Sequence, residues 1–142
     1  MDLDPKRIDD TKAWFTKAVI DIRSAEADLS ANPPVLEDVL FHSQQIIEKA
    51  LKGFLTWHSL AFPKTHNLVD LGKRCVSIDA TLEPLLSKAG FLTQYAWIFR
   101  YPGIPQNPEA DEAQNGLNLA LEVVESILSR LSPEVRPQLK SS

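Results

Sequence analysis

An all-α fold is predicted by three observations: where the prolines fall, the apolar spacing between them, and the absence of any strand pattern. The ten prolines stand at 5, 33, 34, 63, 84, 102, 105, 108, 133 and 137. Proline lacks an N–H and clashes with the preceding turn, so the stretches between these positions are where helices fit. Those stretches repeat apolar residues at helical spacing. The expected architecture is an antiparallel, up-and-down four-helix bundle with a short extra helix.

The first helix is expected from Asp9 to Ala31, with Trp14, Ala18, Ile22, Ala25 and Leu29 as its apolar stripe. Asn32-Pro33-Pro34 stops it. Pro34, Glu37 and Asp38 suit the first turn of a second helix, because proline needs no donor there and acids meet the positive end of the dipole. That helix is expected over Val35–Ser59. Leu40, Ile47, Ala50, Leu51, Phe54 and Leu55 form its apolar face, with His42, Gln45, Lys49 and Lys52 opposite. Gln44 falls inside the apolar arc, either as an amide bonded to a neighbouring helix or as a pocket group.

Thr65 is the expected N-cap of a short helix over His66–Val76. Leu82-Glu83-Pro84 opens a fourth helix reaching Phe99, with Leu85, Ala89, Leu92, Ala96 and Phe99 inward. After the proline-rich break at 100–108, Asn107 as cap, Pro108 as first residue and Glu109, Asp111 and Glu112 in the first turn announce the last helix. Its seam is Ala110, Ala113, Leu117, Ala120, Leu121, Val124, Leu128 and Leu131. Residues 1–131 are thus expected as one domain, followed by a loose tail over 132–142.

Composition narrows the function classes. The chain has 142 residues, 44% of them hydrophobic and 24% charged, which suits one globular domain with its own core. A single cysteine excludes an internal disulfide and a cysteine-rich zinc site. With a polar, acidic N-terminus unlike a signal sequence, it points to a reducing, cytoplasmic setting. No apolar run approaches the roughly eighteen residues of a membrane span. The net charge of −4 argues against unspecific coating of nucleic acid and leaves room for a focused phosphate site.

No spacing of the three histidines, His42, His58 and His66, suits a metal, and no cofactor is expected. There is no glycine-rich phosphate loop and no orientable nucleophile triad. Two places carry chemistry. At Pro63-Lys64-Thr65-His66-Asn67 a loop feeds a helix N-terminus, whose free N–H groups beside a lysine and a histidine suit a phosphate as well as an ordinary cap. At Tyr95, Arg100 and Tyr101, an arginine flanked by aromatics suits stacking and bidentate phosphate contacts, as well as the helix dipole.

Taken together, three segments resemble the HEPN family (higher eukaryotes and prokaryotes nucleotide-binding domain). They are Phe41-His42-Ser43-Gln44-Gln45-Ile46-Ile47-Glu48-Lys49-Ala50-Leu51-Lys52, then Pro63-Lys64-Thr65-His66-Asn67-Leu68, then Phe99-Arg100-Tyr101-Pro102-Gly103. The resemblance spans residues 9–131 and implies the bundle already read from the pattern. It also implies a homodimer, encoded in many relatives beside a minimal nucleotidyltransferase in a toxin–antitoxin arrangement. Its ligand residues carry over to Arg100, Tyr101, Lys64, His66 and Asn67.

Many family members are metal-independent ribonucleases in which an arginine is followed about four to six residues later by a histidine that moves the proton. Here Ile104, Pro105, Gln106 and Asn107 stand after Arg100, and no histidine follows any arginine at that distance. The expectation is therefore a non-catalytic binder of nucleotide or RNA, or a nucleotidyltransferase partner. The alternatives are a ribonuclease toxin with a divergent site, in which His66 or His42 meets Arg100, and a structural dimerisation module with Trp14, Trp57 and Trp97 in its core or interface.

Overall fold

Asp4 accepts the N–H of Lys6 and Pro5 takes the first helical position, so helix α1 starts at the sequence signal nearest the N-terminus and runs over Pro5–Ser30. The computed structural model describes residues 4–98, 102 and 108–137. After α1 come α2 (Leu36–Trp57), α3 (Leu68–Ile78), a 3₁₀ turn at Ala80–Leu82, α4 (Glu83–Ala89), a 3₁₀ segment at Gly90–Ala96, α5 (Ala110–Leu128) and a last 3₁₀ turn at Pro133–Val135. All regular structure among the described residues is helical.

α2 is the axis of the molecule. It packs most extensively on α1, then on α5, and closes its remaining side against α3 and the 3₁₀ segment 90–96. The α1–α2 pair is antiparallel: Phe15 meets Gly53 near one end, and the Asp28 carbonyl takes the N–H of Val35 near the other. At Gly53 the helices approach so closely that a Cβ would stand 2.6 Å from Phe15 Cε2.

Being central, α2 has no solvent face of the expected kind. Leu40, Ile47, Ala50, Leu51, Phe54 and Leu55 are buried as the pattern predicts. Lys52, placed opposite them, is buried too, and His42, Gln45 and Lys49 are half-buried. On α1, Ala18, Ile22 and Ala25 are buried while Trp14 and Leu29 are half-buried, and Thr11, Phe15 and Asp21 join the buried set. The α5 seam is buried except for exposed Ala110 and half-buried Leu121.

Besides α1, which starts at Pro5 and not at the expected Asp9, the boundaries of α3, α4 and α5 differ from expectation. α3 is capped by Asn67, whose side chain accepts the N–H groups of Val69 and Asp70, while Thr65 Oγ1 accepts the N–H of Asn67. The fourth helix, expected to reach Phe99, ends as α-helix at Ala89 and tightens to 3₁₀ from Gly90. Gly90 is a weak helix former that passes close over α3, where a Cβ would lie 2.9 Å from Val69 Cγ2. α5 begins at Ala110 behind Glu109, and Glu109 makes no side-chain cap bond. The expected cap Asn107 and the inward-facing Phe99 lie outside the described residues.

The expected loose tail is fastened over its first residues. Ser132 caps the Pro133–Val135 turn, Val135 is fully buried in the core, and Arg136 Nη1 donates to both carboxylate oxygens of Glu125.

Candidate functional site

Gln44, Glu48 and Lys52 recur every four residues along α2, which aligns them as one row on the helix. The row meets the connector between α2 and α3. Gln44 Nε2 donates to Glu48 Oε1 at 3.1 Å and to the His66 carbonyl at 3.0 Å. Gln45 Nε2 donates to Gln44 Oε1 at 2.6 Å. Lys52 Nζ donates to Glu48 Oε2 at 3.1 Å, and His66 Nδ1 stands 2.8 Å from Glu48 Oε1. A carboxylate only accepts, so the imidazole donates through Nδ1.

Burial is sharply divided across this group. The Glu48 and Lys52 side chains are 5% and 10% exposed, that of His66 is 66% exposed, and Gln44 is fully buried. Desolvating two charges costs several kcal/mol per ion, which their attraction and added hydrogen bonds must offset. Both Glu48 oxygens are engaged, Oε1 by Gln44 and His66 and Oε2 by Lys52.

The connector is fastened at its other end as well. Lys52 Nζ lies 5.6 Å above the Trp14 ring, and Trp14 meets Phe62 edge-on with centroids 6.1 Å apart. Phe62 and His66 therefore anchor the run that holds exposed Lys64 between them. Gln44 is bonded to this connector rather than to a neighbouring helix, and it joins the group that presents His66.

The expected free N–H groups at the start of α3 are all taken. Asn67 N–H goes to Thr65 Oγ1, Leu68 N–H to Thr93 Oγ1 at 2.9 Å, Val69 and Asp70 N–H to Asn67 Oδ1, and Leu71 N–H to the Asn67 carbonyl. Asp70 adds a negative charge to the same turn. An anion here would be held by the Lys64 and His66 side chains, not by backbone, and the Asn67 side chain is committed to capping.

The Thr93 bond also ties the 3₁₀ segment, which leads toward residues 99–101, to the start of α3. Arg100 and Tyr101 themselves lie outside the described residues. Tyr95, grouped with them by sequence, is buried and donates its hydroxyl to Glu112 of α5. Burial and that carboxylate push the Tyr95 hydroxyl well above its ordinary range. Tyr95 thus belongs to the core, whereas Trp97 is half exposed.

A second polar group joins α1 to α2. Asp21 pairs with His42 Nδ1 at 2.8 Å and with Lys49, and His42 Nε2 lies 3.9 Å from Asp28. Burial and the nearby Asp38 carboxylate raise Asp28, with His42 opposing them. His42 is thereby engaged between the first two helices, apart from His66. His58, at the end of α2, tilts against the Phe54 ring with centroids 4.6 Å apart. Burial and then Arg7 lower its pKa.

Glu48 and Lys52 were missed as site residues by sequence reasoning, although the Gln-x-x-x-Glu-x-x-x-Lys row is visible once Gln44 is noticed. No helix among the described residues is long and apolar enough to cross a membrane. Comparison with curated proteins gives no match, and comparison with solved structures gives none either. A family model described as HEPN domain matches residues 11–131, nearly the whole bundle and all of the connector site. The chain belongs to the HEPN domain family.

Proposed function

We propose that this HEPN domain is a binding module for nucleotide or RNA whose ligand sits on the connector between α2 and α3. Lys64 and His66 supply side chains from the connector, Asn67 holds the start of α3, and Arg100 and Tyr101 supply the phosphate-gripping and stacking groups. As a homodimer, or as the partner of a minimal nucleotidyltransferase in a toxin–antitoxin-like pair, it acts without catalysing a reaction. One observation carries the reading: a mostly exposed imidazole anchored on a buried carboxylate that a buried lysine balances. An apolar row would fill the same space at lower desolvation cost, so presentation of the ring accounts for the buried charges.

Calorimetry with ATP, GTP and a short RNA tests it. Wild type binds at least one of them, and His66→Ala or Lys64→Ala weakens that binding while the fold stays intact. No binding by wild type refutes the reading. Unchanged binding in Arg100→Ala removes Arg100 from the site.

The Glu48–His66 pair also favours a second reading, a ribonuclease with a divergent site. An imidazole oriented through Nδ1 by a carboxylate presents Nε2 as a proton acceptor, the role that the absent motif histidine fills elsewhere in the family. RNA cleavage in EDTA that is lost in His66→Ala would establish this reading over the first. An inert wild type would end it.

A further inference from the structure

We infer that Glu48 and Gln44 are positioning residues for His66, fixing its ring with Nδ1–H inward and the Nε2 lone pair outward. The inference deepens the connector reading and rests on it only for the effect on ligand binding. The state of the ring itself is set by α2.

The bond from Nδ1 to Glu48 Oε1, 2.8 Å long, selects the tautomer, since the acceptor has no proton to give. In the neutral ring the remaining lone pair is then on Nε2, across the imidazole from Glu48. Gln44 fixes the backbone of the same residue. Its single amide nitrogen reaches both the His66 carbonyl and the Glu48 oxygen that receives the ring. Gln45, donating to Gln44 Oε1, sets which way that amide faces; the flipped amide would turn its oxygen onto a carboxylate and a carbonyl. Lys52 supplies the counter-charge from the next turn of α2.

A histidine 66% exposed on a connector would ordinarily sample several rotamers and favour the Nε2–H form. Held this way, it meets a ligand with the rotamer, backbone and tautomer already chosen. The ligand partner that gains is a hydroxyl donor when the ring is neutral and a phosphate oxygen when it is protonated.

Long-range proton–nitrogen NMR of the intact chain at alkaline pH reads the tautomer directly. Wild type is expected to show His66 Nδ1 protonated and Nε2 bare. Because Glu48→Leu alone leaves Lys52 without its counter-ion, the main comparison is the Glu48→Leu/Lys52→Met double variant, which removes both charges. In that variant, folded by circular dichroism, His66 reverts to mainly Nε2–H and ATP binding weakens about tenfold.

A wild-type ring found as Nε2–H overturns the inference. So does a double variant whose His66 spectrum or ATP affinity is unchanged. If wild type binds no ATP, that counts against the connector as a nucleotide site, and the tautomer spectra alone then decide between a fixed and a free His66.

Discussion

Replacing Lys52 by methionine leaves the Glu48 carboxylate buried without its cation, and the structure sets how much that costs. Breaking a buried ion pair by removing one partner costs about 3–5 kcal/mol in general. Glu48 retains Gln44 and His66 as donors, so Lys52→Met belongs near the lower bound, at about 3 kcal/mol. Glu48→Leu is milder, about 2 kcal/mol, because the ammonium keeps the Trp14 ring beneath it.

The double variant removes both charges, loses the hydrogen bonds to His66 and Gln44, and costs about 2 kcal/mol in total. The pair is therefore coupled by about 3 kcal/mol, well beyond the additivity of independent sites. Urea unfolding of the four proteins, followed by far-ultraviolet circular dichroism at common slope, measures each step. Additive losses, with a coupling under about 0.5 kcal/mol, would show that the two side chains do not share a buried site and would refute the reasoning.

Other expectations concern the frame around this row. Gly53→Ala gains about 1 kcal/mol of helix propensity but drives a methyl into the fully buried Phe15 ring, an overpacking cost of about 1–3 kcal/mol. A lower melting temperature is expected, and a higher one would mean that α1 and α2 do not approach there. Cys75 is buried with its thiol pushed up to about 12, so it should resist iodoacetamide in the native protein and react once urea unfolds it. Fast native labelling would contradict its place in the core. Asp79 is held below its ordinary 3.8 by the Thr81 hydroxyl and N–H and then by Arg130. Its stabilisation is whole above that value and is lost as the pH falls through the lowered one, so Asp79→Asn should flatten the acid limb of stability below pH 3.8. An acid limb identical to wild type would rule out that contribution.

The legible part of the fold was whatever local chemistry determines. Proline positions and apolar spacing located α1, α2 and α5, because exclusion of proline and burial of one stripe act within a few turns. The end of α4 was not legible, since the tightening at Gly90 answers to Val69, far away in sequence. Lys52 was misplaced for a related reason. A helical wheel divides one buried face from one wet face, but α2 is enclosed by α1, α3, α5 and the 3₁₀ segment together. For the site, Lys64, His66 and Asn67 could be picked out by residue type and loop position. Glu48 could not, because its role depends on the connector folding back beside α2. The expected phosphate cradle failed on a side-chain detail: Asn67 and Thr93 reach the N–H groups before any ligand does.

The position of α2 also bears on the order of assembly. Gln44, Glu48, Lys52, Trp14, Phe62 and His66 all belong to the first half of the chain, and α1 and α2 are joined by a short connection that costs little entropy to close. α5, which completes the cover on α2, is made last. During synthesis the helical hairpin and its charged row thus leave the ribosome before their final apolar partner exists.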